Sequence, residues 1–180
     1  MLIVFLTALC ASAQEPFELS EVIKAEGRTA DQIYETLQKW VSSSWKFPKA
    51  VKKFESDGKE IMIDGSFRFS CSSFALMAYR GTVDYTLDIQ VREGRFKVTM
   101  SDVSNNRVDS KVRPLGLVYK EDLNKEEYKQ AGTSKLDINH SGYNKVMETI
   151  RKRATEEWEK MISHIKLGLE NQKAKEEEDW

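Results

Sequence analysis

The side chains that could do chemistry are few. A thiol nucleophile needs a base beside it, and the sequence holds two cysteines and two histidines. Cys71, His140 and a carboxylate are therefore the set from which a catalytic triad could be drawn. Their surroundings argue against it. Cys71 closes an apolar run, where a small buried thiol is the ordinary occupant, and His140 falls in a polar stretch. A zinc site would need more ligands, since His164 stands among lysines and glutamates with neither His nor Cys four residues on. Asp84 and Asp88 share one face of a predicted strand, but at strand rise they lie about 13 Å apart, too far to hold one cation or act as an acid–base pair. No catalytic, metal-ligating or cofactor-binding residue is assigned.

Those aspartates belong to the stretch around which the chain is organised. Over 82–103, Val83, Tyr85, Leu87, Ile89 and Val91 alternate with polar residues, and Phe96, Val98 and Met100 continue the pattern after Glu93-Gly94. Period-two alternation predicts half-buried strands, and a short turn in which glycine supplies the positive φ predicts a hairpin. The register follows: Val91 opposite Phe96, Ile89 opposite Val98, Leu87 opposite Met100. On the other face Gln90 meets Lys97, Asp88 meets Thr99 and Thr86 meets Ser101. A slip of one residue would reverse both faces.

The flanking segments are read the same way. Residues 17–23 alternate as an edge strand. Thr29 and Gln32 make a capping-box pattern ahead of Ile33, Tyr34, Leu37, Val41 and Trp45, which predicts a helix over 30–45 stopped by Pro48. Asp57-Gly58 predicts a second hairpin between 50–56 and 59–70, with Phe54 opposite Ile61, Lys52 awkwardly opposite Ile63, and a bulge at Gly65. Residues 71–80 have no clean period and stay open between loop and strand. The stretch 105–142 is polar and irregular, interrupted by Leu115-Gly-Leu-Val-Tyr119 and by a short helix capped at Asn124 with Glu127 three residues on. From Tyr143, helical spacing returns through Val146, Met147, Ile150, Ala154, Trp158, Met161, Ile162, Ile165 and Leu169, a stripe about 40 Å long. The tail 171–180 is too charged to pack.

A chain of 180 residues is large enough to bury about 70% of its extended surface in a single core. With 28 Lys and Arg against 29 Asp and Glu, overall charge gives no reason to expect a nucleic-acid or anionic-membrane partner. Residues 1–13 form an apolar run ending in Ala11-Ser12-Ala13, which predicts an export signal cleaved before Gln14, although no Lys or Arg precedes Lys24 to supply the usual basic start. Leu9 before Cys10 does not suit lipoprotein acylation. Cys71 is then the sole cysteine of the mature chain, so packing must supply stability.

The order strand, helix, four strands, long helix predicts an α+β fold: a two-layer antiparallel sheet with its helices on one face. The domain is expected over 14–170, with 107–142 as a long irregular insertion. The segments GRTADQIYETLQKWV, DGKEIMIDG and YTLDIQVREGRFKVTMSDV, with the closing helix carrying Trp158, resemble a family of secreted bacterial domains of unknown function with a TATA-binding-protein-like fold. The resemblance implies a TBP-like, helix-grip-like architecture and export to the periplasm or beyond, and it brings no catalytic residues. It does not cover 105–142.

The expected function is that of an exported, non-catalytic binding or interaction domain. Its partner would be a small amphipathic ligand or an envelope protein, with no integral membrane segment once the signal is removed. Leu115, Leu117, Val118 and Tyr119 of the insertion, with Met147, Trp158 and Met161 of the last helix, are the candidate surface, because a seam between helix and sheet can enclose an apolar pocket. The alternatives are an assembly module pairing through its sheet and, third, an enzyme, which would need a cleft with perturbed ionisable groups.

Overall fold

The computed structural model describes residues 14–44, 51–108, 114–131, 136 and 138–178. The leader-like run 1–13, Trp45 and Pro48 lie outside these residues. In chain order the elements are β1 (Leu19–Lys24), α1 (Ala30–Ser44), β2 (Val51–Glu55), β3 (Glu60–Phe69), a 3-10 helix (Phe74–Tyr79), β4 (Gly81–Arg92), β5 (Arg95–Val108), β6 (Gly116–Leu117), α2 (Lys125–Gln130) and α3 (His140–Glu178). The strands form one antiparallel sheet in the order β1-β5-β4-β3-β2, with β6 paired to β5. β1 is an edge strand, as its charges suggest.

The β4–β5 hairpin pairs Val91 with Phe96, Ile89 with Val98 and Leu87 with Met100, and Gln90, Asp88 and Thr86 with Lys97, Thr99 and Ser101. This is the register that keeps the apolar set on one face. Gly94 takes φ 67 at the turn. The hairpin tip also holds the entry to α1: Gly94 N–H donates to Arg28 O at 3.1 Å, and Glu93 Oε1 accepts from Ala30 N–H at 3.1 Å. Thr29 and Gln32 complete the cap reciprocally, each side chain accepting from the other's backbone N–H at 3.3 and 2.9 Å.

The β2–β3 hairpin differs from expectation. Glu55 pairs with Glu60, so the loop is longer than Asp57-Gly58, and its left-handed residue is Lys59 at φ 52. Lys59 is held from several sides: its carbonyl accepts from Val91 N–H at 2.9 Å, and its Nζ donates to Ser56 O at 2.8 Å and to Asp31 at 2.6 Å. Phe54 does oppose Ile61, but a bulge between Val51 and Lys53 brings Val51, not Lys52, opposite Ile63. Gly65 is no bulge. It pairs regularly with Tyr85, and its missing side chain makes room for the Tyr85 ring, which a Cβ there would meet at 2.1 Å.

β5 bulges instead. Thr86 pairs with Ser101 and Asp84 with Ser104, the extra residue being taken up around Asp102 at φ 53. That shift turns Val103 onto the core face after Met100, and both are fully buried.

Helices α1 and α3 cover the apolar face. Ile33, Leu37 and Val41 of α1 and the whole predicted stripe of α3, Tyr143 to Leu169, are buried in one cluster with Ile61, Leu87, Ile89 and Val98. The helical backbone of α3 runs on through the charged tail to Glu178. The stretch 105–142 is less irregular than its polarity suggests. β5 extends to Val108, β6 continues the sheet, and Leu115, Val118 and Leu123 are core residues. Asn105, itself fully buried, fastens this return by donating to Thr82 O at 3.2 Å and accepting from Leu115 N–H at 3.2 Å. Phe17 N–H donates to Val118 O at 2.9 Å, tying the segment to the start of β1. The capping box at Asn124 and Glu127 forms as predicted.

Candidate functional site

The seam between helices and sheet is filled. Leu115, Val118, Met147, Trp158 and Met161, five of the candidate surface residues, are each less than a tenth exposed and belong to the core cluster, while Leu117 and Tyr119 are half-buried. Tyr119 borders a polar surface cavity together with Glu15, Lys120, Asp122 and Glu127, whereas the five buried side chains hold α3 and the insertion to the sheet. The burial follows from the register of β5 with β6, which returns the insertion to the sheet edge, and from a continuous stripe on α3 that leaves no gap in the apolar layer.

Cys71 and His140 serve separate places. The Cys71 thiol is buried, which raises its pKa, and the Thr149 hydroxyl beside it pulls in the opposite direction. His140 opens α3, where its Nε2 lies 2.6 Å from Leu123 O and its ring meets Tyr128 edge-on at 5.5 Å. Thr149 is nine residues further along α3, about 13 Å at helical rise. A nucleophile and its base must share a hydrogen bond, and these two are fixed to different partners.

The remaining broad surface is the sheet face opposite the helices, which no helix covers among the described residues. Pairing across the strands arranges it in rows. Lys53, Met62, Asp88, Thr99 and Ser20 form one; Glu55, Glu60, Gln90, Lys97 and Val22 the next; Asp64, Thr86 and Ser101 a third. Lys53 Nζ bonds Glu60 at 2.6 Å and also Glu55, which relieves the like charges these two glutamates set opposite each other. Lys52 pairs with Asp64 at 2.7 Å, and a shallow groove runs from these residues past Thr86 to Asp102 and Ser104.

Asp88 is the perturbed group of this face. Gln90 Nε2 donates to its Oδ2 at 2.9 Å, while Oδ1 is buried with no hydrogen-bond partner. Desolvation first, and the neighbouring Glu60 carboxylate second, raise its pKa. The carboxylate that matters to Asp88 is thus Glu60 from β3 rather than Asp84 from its own strand. Spacing along one strand could not show this, and the clue lay in the β3 pairing. Among the described residues no group of His, Cys, Asp and Glu side chains is gathered for a metal ion.

An antiparallel sheet roofed on one face by two amphipathic helices, its other face open, is a TBP-like α+β fold. Residues 20–106, a little under half of the chain, match the family model described as a domain of unknown function (DUF4468) with TBP-like fold. Solved structures agree on the fold. A DUF4468 family protein from Bacteroides ovatus superposes with a TM-score of 0.54 at 18% identity, covering 86% of each chain. A TBP-like protein from Parabacteroides distasonis gives 0.55 at 11% identity, covering 84% of this chain and 93% of that one. No curated protein matches.

Proposed function

We propose that this chain is an exported, non-catalytic interaction module that recognises a protein partner across the open face of its sheet. The observation that carries the reading is the contrast between the two faces: one is sealed by α1 and α3 with five of the seven candidate ligand residues inside the core, and the other presents ordered rows of hydrogen-bonding side chains. Lys52, Lys53 and Lys97 are interspersed there with Glu55, Glu60, Asp64 and Asp88, a mixed surface that suits a polar protein partner better than a polyanion. Export rests on the apolar run 1–13, and the non-catalytic reading on the separation of Cys71 from His140.

Thr86→Arg and Thr99→Arg test this. Both side chains are half-exposed on the open face, so the fold should survive while a complementary partner is excluded. Capture of a partner from envelope extracts should be lost in both variants and kept when Lys160, on the exposed side of α3, is changed to Glu. Undiminished capture by the threonine variants would remove the open face from the functional account. Self-association of the isolated protein in sedimentation, abolished by the same changes, would instead favour an assembly module pairing through its sheet.

A further inference from the structure

We propose that the end of the molecule built by the β3–β4 connection docks on an anionic lipid surface, with Phe74 and Met77 entering the interface and Arg68, Arg80, Lys152 and Arg153 facing the headgroups. The connection displays apolar side chains that the fold has not used. Phe74 is 91% exposed and Met77 42%. They are presented on a tied turn: Leu76 N–H donates to Ser73 O at 2.9 Å and Arg80 N–H to Met77 O at 3.2 Å. Cys71 and Tyr79 anchor its two ends in the core, and Leu76 packs against it between them. A fixed turn that holds a phenylalanine in water is ready for an apolar medium, because little ordering entropy remains to be lost on insertion.

Charge selects the medium. Beside the turn lies a groove lined by Arg68, Ser70, Arg80, Lys152, Arg153 and Glu156. Four cations line it with the Glu156 carboxylate, and Glu157 reaches Arg153 from the same helix, an excess of cations in a chain that overall holds 28 against 29. Arg153 is engaged by Glu156 at 3.0 Å and by Glu157 at 2.5 Å, whereas Arg80 and Lys152 stand exposed at the rim. The whole-chain balance therefore conceals a local basic end assembled from β3, the connection and α3. These cations border an open groove rather than converge on a point, which fits an array of headgroups better than a single phosphate. Cations flanking an exposed aromatic are the pattern of interfacial anchoring. This proposal is independent of the open-face reading.

The test is sedimentation of the full-length protein with vesicles of phosphatidylcholine, alone or with roughly one-third phosphatidylglycerol. Binding should require the anionic lipid and fall as salt rises. Arg80→Glu and Lys152→Glu should each reduce partitioning about fivefold or more, and Phe74→Ser about tenfold. All three positions are exposed, so thermal melts should not change, and Thr86→Arg should bind vesicles like the parent. Equal sedimentation with both vesicles, none with either, or indifference to Phe74→Ser overturns the proposal. So does binding of inorganic phosphate or polyglutamate, lost on Arg80→Glu, without vesicle binding, which would assign the groove to a soluble anion.

Discussion

Replacing Gly65 by alanine adds one methyl group at a place where the structure has none to spare. The new Cβ would lie 2.1 Å from Tyr85 Cζ and 2.4 Å from its Cε2 and Oη. Ordinary carbon contacts are about 3.5 to 4.0 Å, so the ring must move by more than an ångström. It is not free to do so cheaply. The ring packs on Phe67 with centroids 6.1 Å apart, and burial first, then the charge of Glu157, push its pKa up to about 12. Gly65→Ala should cost about 1 to 3 kcal/mol, the range for overpacking a filled site. In a Tyr85→Ala background the obstacle is gone, and alanine should improve on glycine in a strand by about 0.5 to 1 kcal/mol. The double-mutant cycle should return a coupling of about 2 kcal/mol, read from urea denaturation midpoints at unchanged slope. A Gly65→Ala cost that is the same with and without the Tyr85 ring would refute the argument, as would a midpoint that does not move.

Trp158→Ala should cost about 3 to 5 kcal/mol in the same assay, since Trp158 is a large side chain that α3 buries in the core; an unmoved midpoint would mean that α3 contributes little to the core. Asn105→Ala should cost about 2 kcal/mol, because it leaves the Leu115 N–H and Thr82 carbonyl without their partner, and hydrogen exchange at Leu115 should quicken while that of Val98 follows only global stability. Asp88 has a folded-state pKa above its ordinary value, so the folded protein binds its proton more tightly than the unfolded chain does. Its favourable contribution is therefore complete below the unfolded pKa and is lost as pH rises through the folded one. Asp88→Asn should stabilise the protein at pH 7 by about 0.5 kcal/mol, a modest gain because solvent reaches the group, and the gain should vanish in acid; destabilisation at neutral pH would contradict it. The buried Cys71 thiol should react with a thiol reagent only at the rate of global unfolding.

What could be read from the residues was what repeats locally. The β4–β5 register, the Thr29–Gln32 cap and the stripe of α3 each follow from a period or a fixed spacing within a few residues. The misreadings concern what two distant segments do to each other. Gly65 looks like a bulge until Tyr85 is seen to lie across it. Leu115 and Val118 look like a free apolar patch until β6 is paired with β5, and the seam looks able to hold a ligand until that patch and α3 fill it. The β5 bulge did leave a trace, since Met100 and Val103 are three apart in a strand that otherwise alternates by two. The open face was legible only one hairpin at a time: that β1 lies beside β5, bringing Ser20 and Val22 into its rows, has no local signature. Phe74, Arg80 and Lys152 had none either, because summed charge cannot show where charges gather.

The order of the elements also bears on how the protein is made. The described strands are all complete by Leu117, yet much of the apolar cover for them comes from Tyr143 to Leu169. During synthesis from the N-terminus, a sheet roofed by α1 alone would leave part of its apolar face in water until α3 arrives. A chain interrupted short of Leu169 therefore carries a sticky surface on an almost finished sheet, a target for chaperones and proteases. In this fold, the last helix decides whether a polypeptide counts as finished.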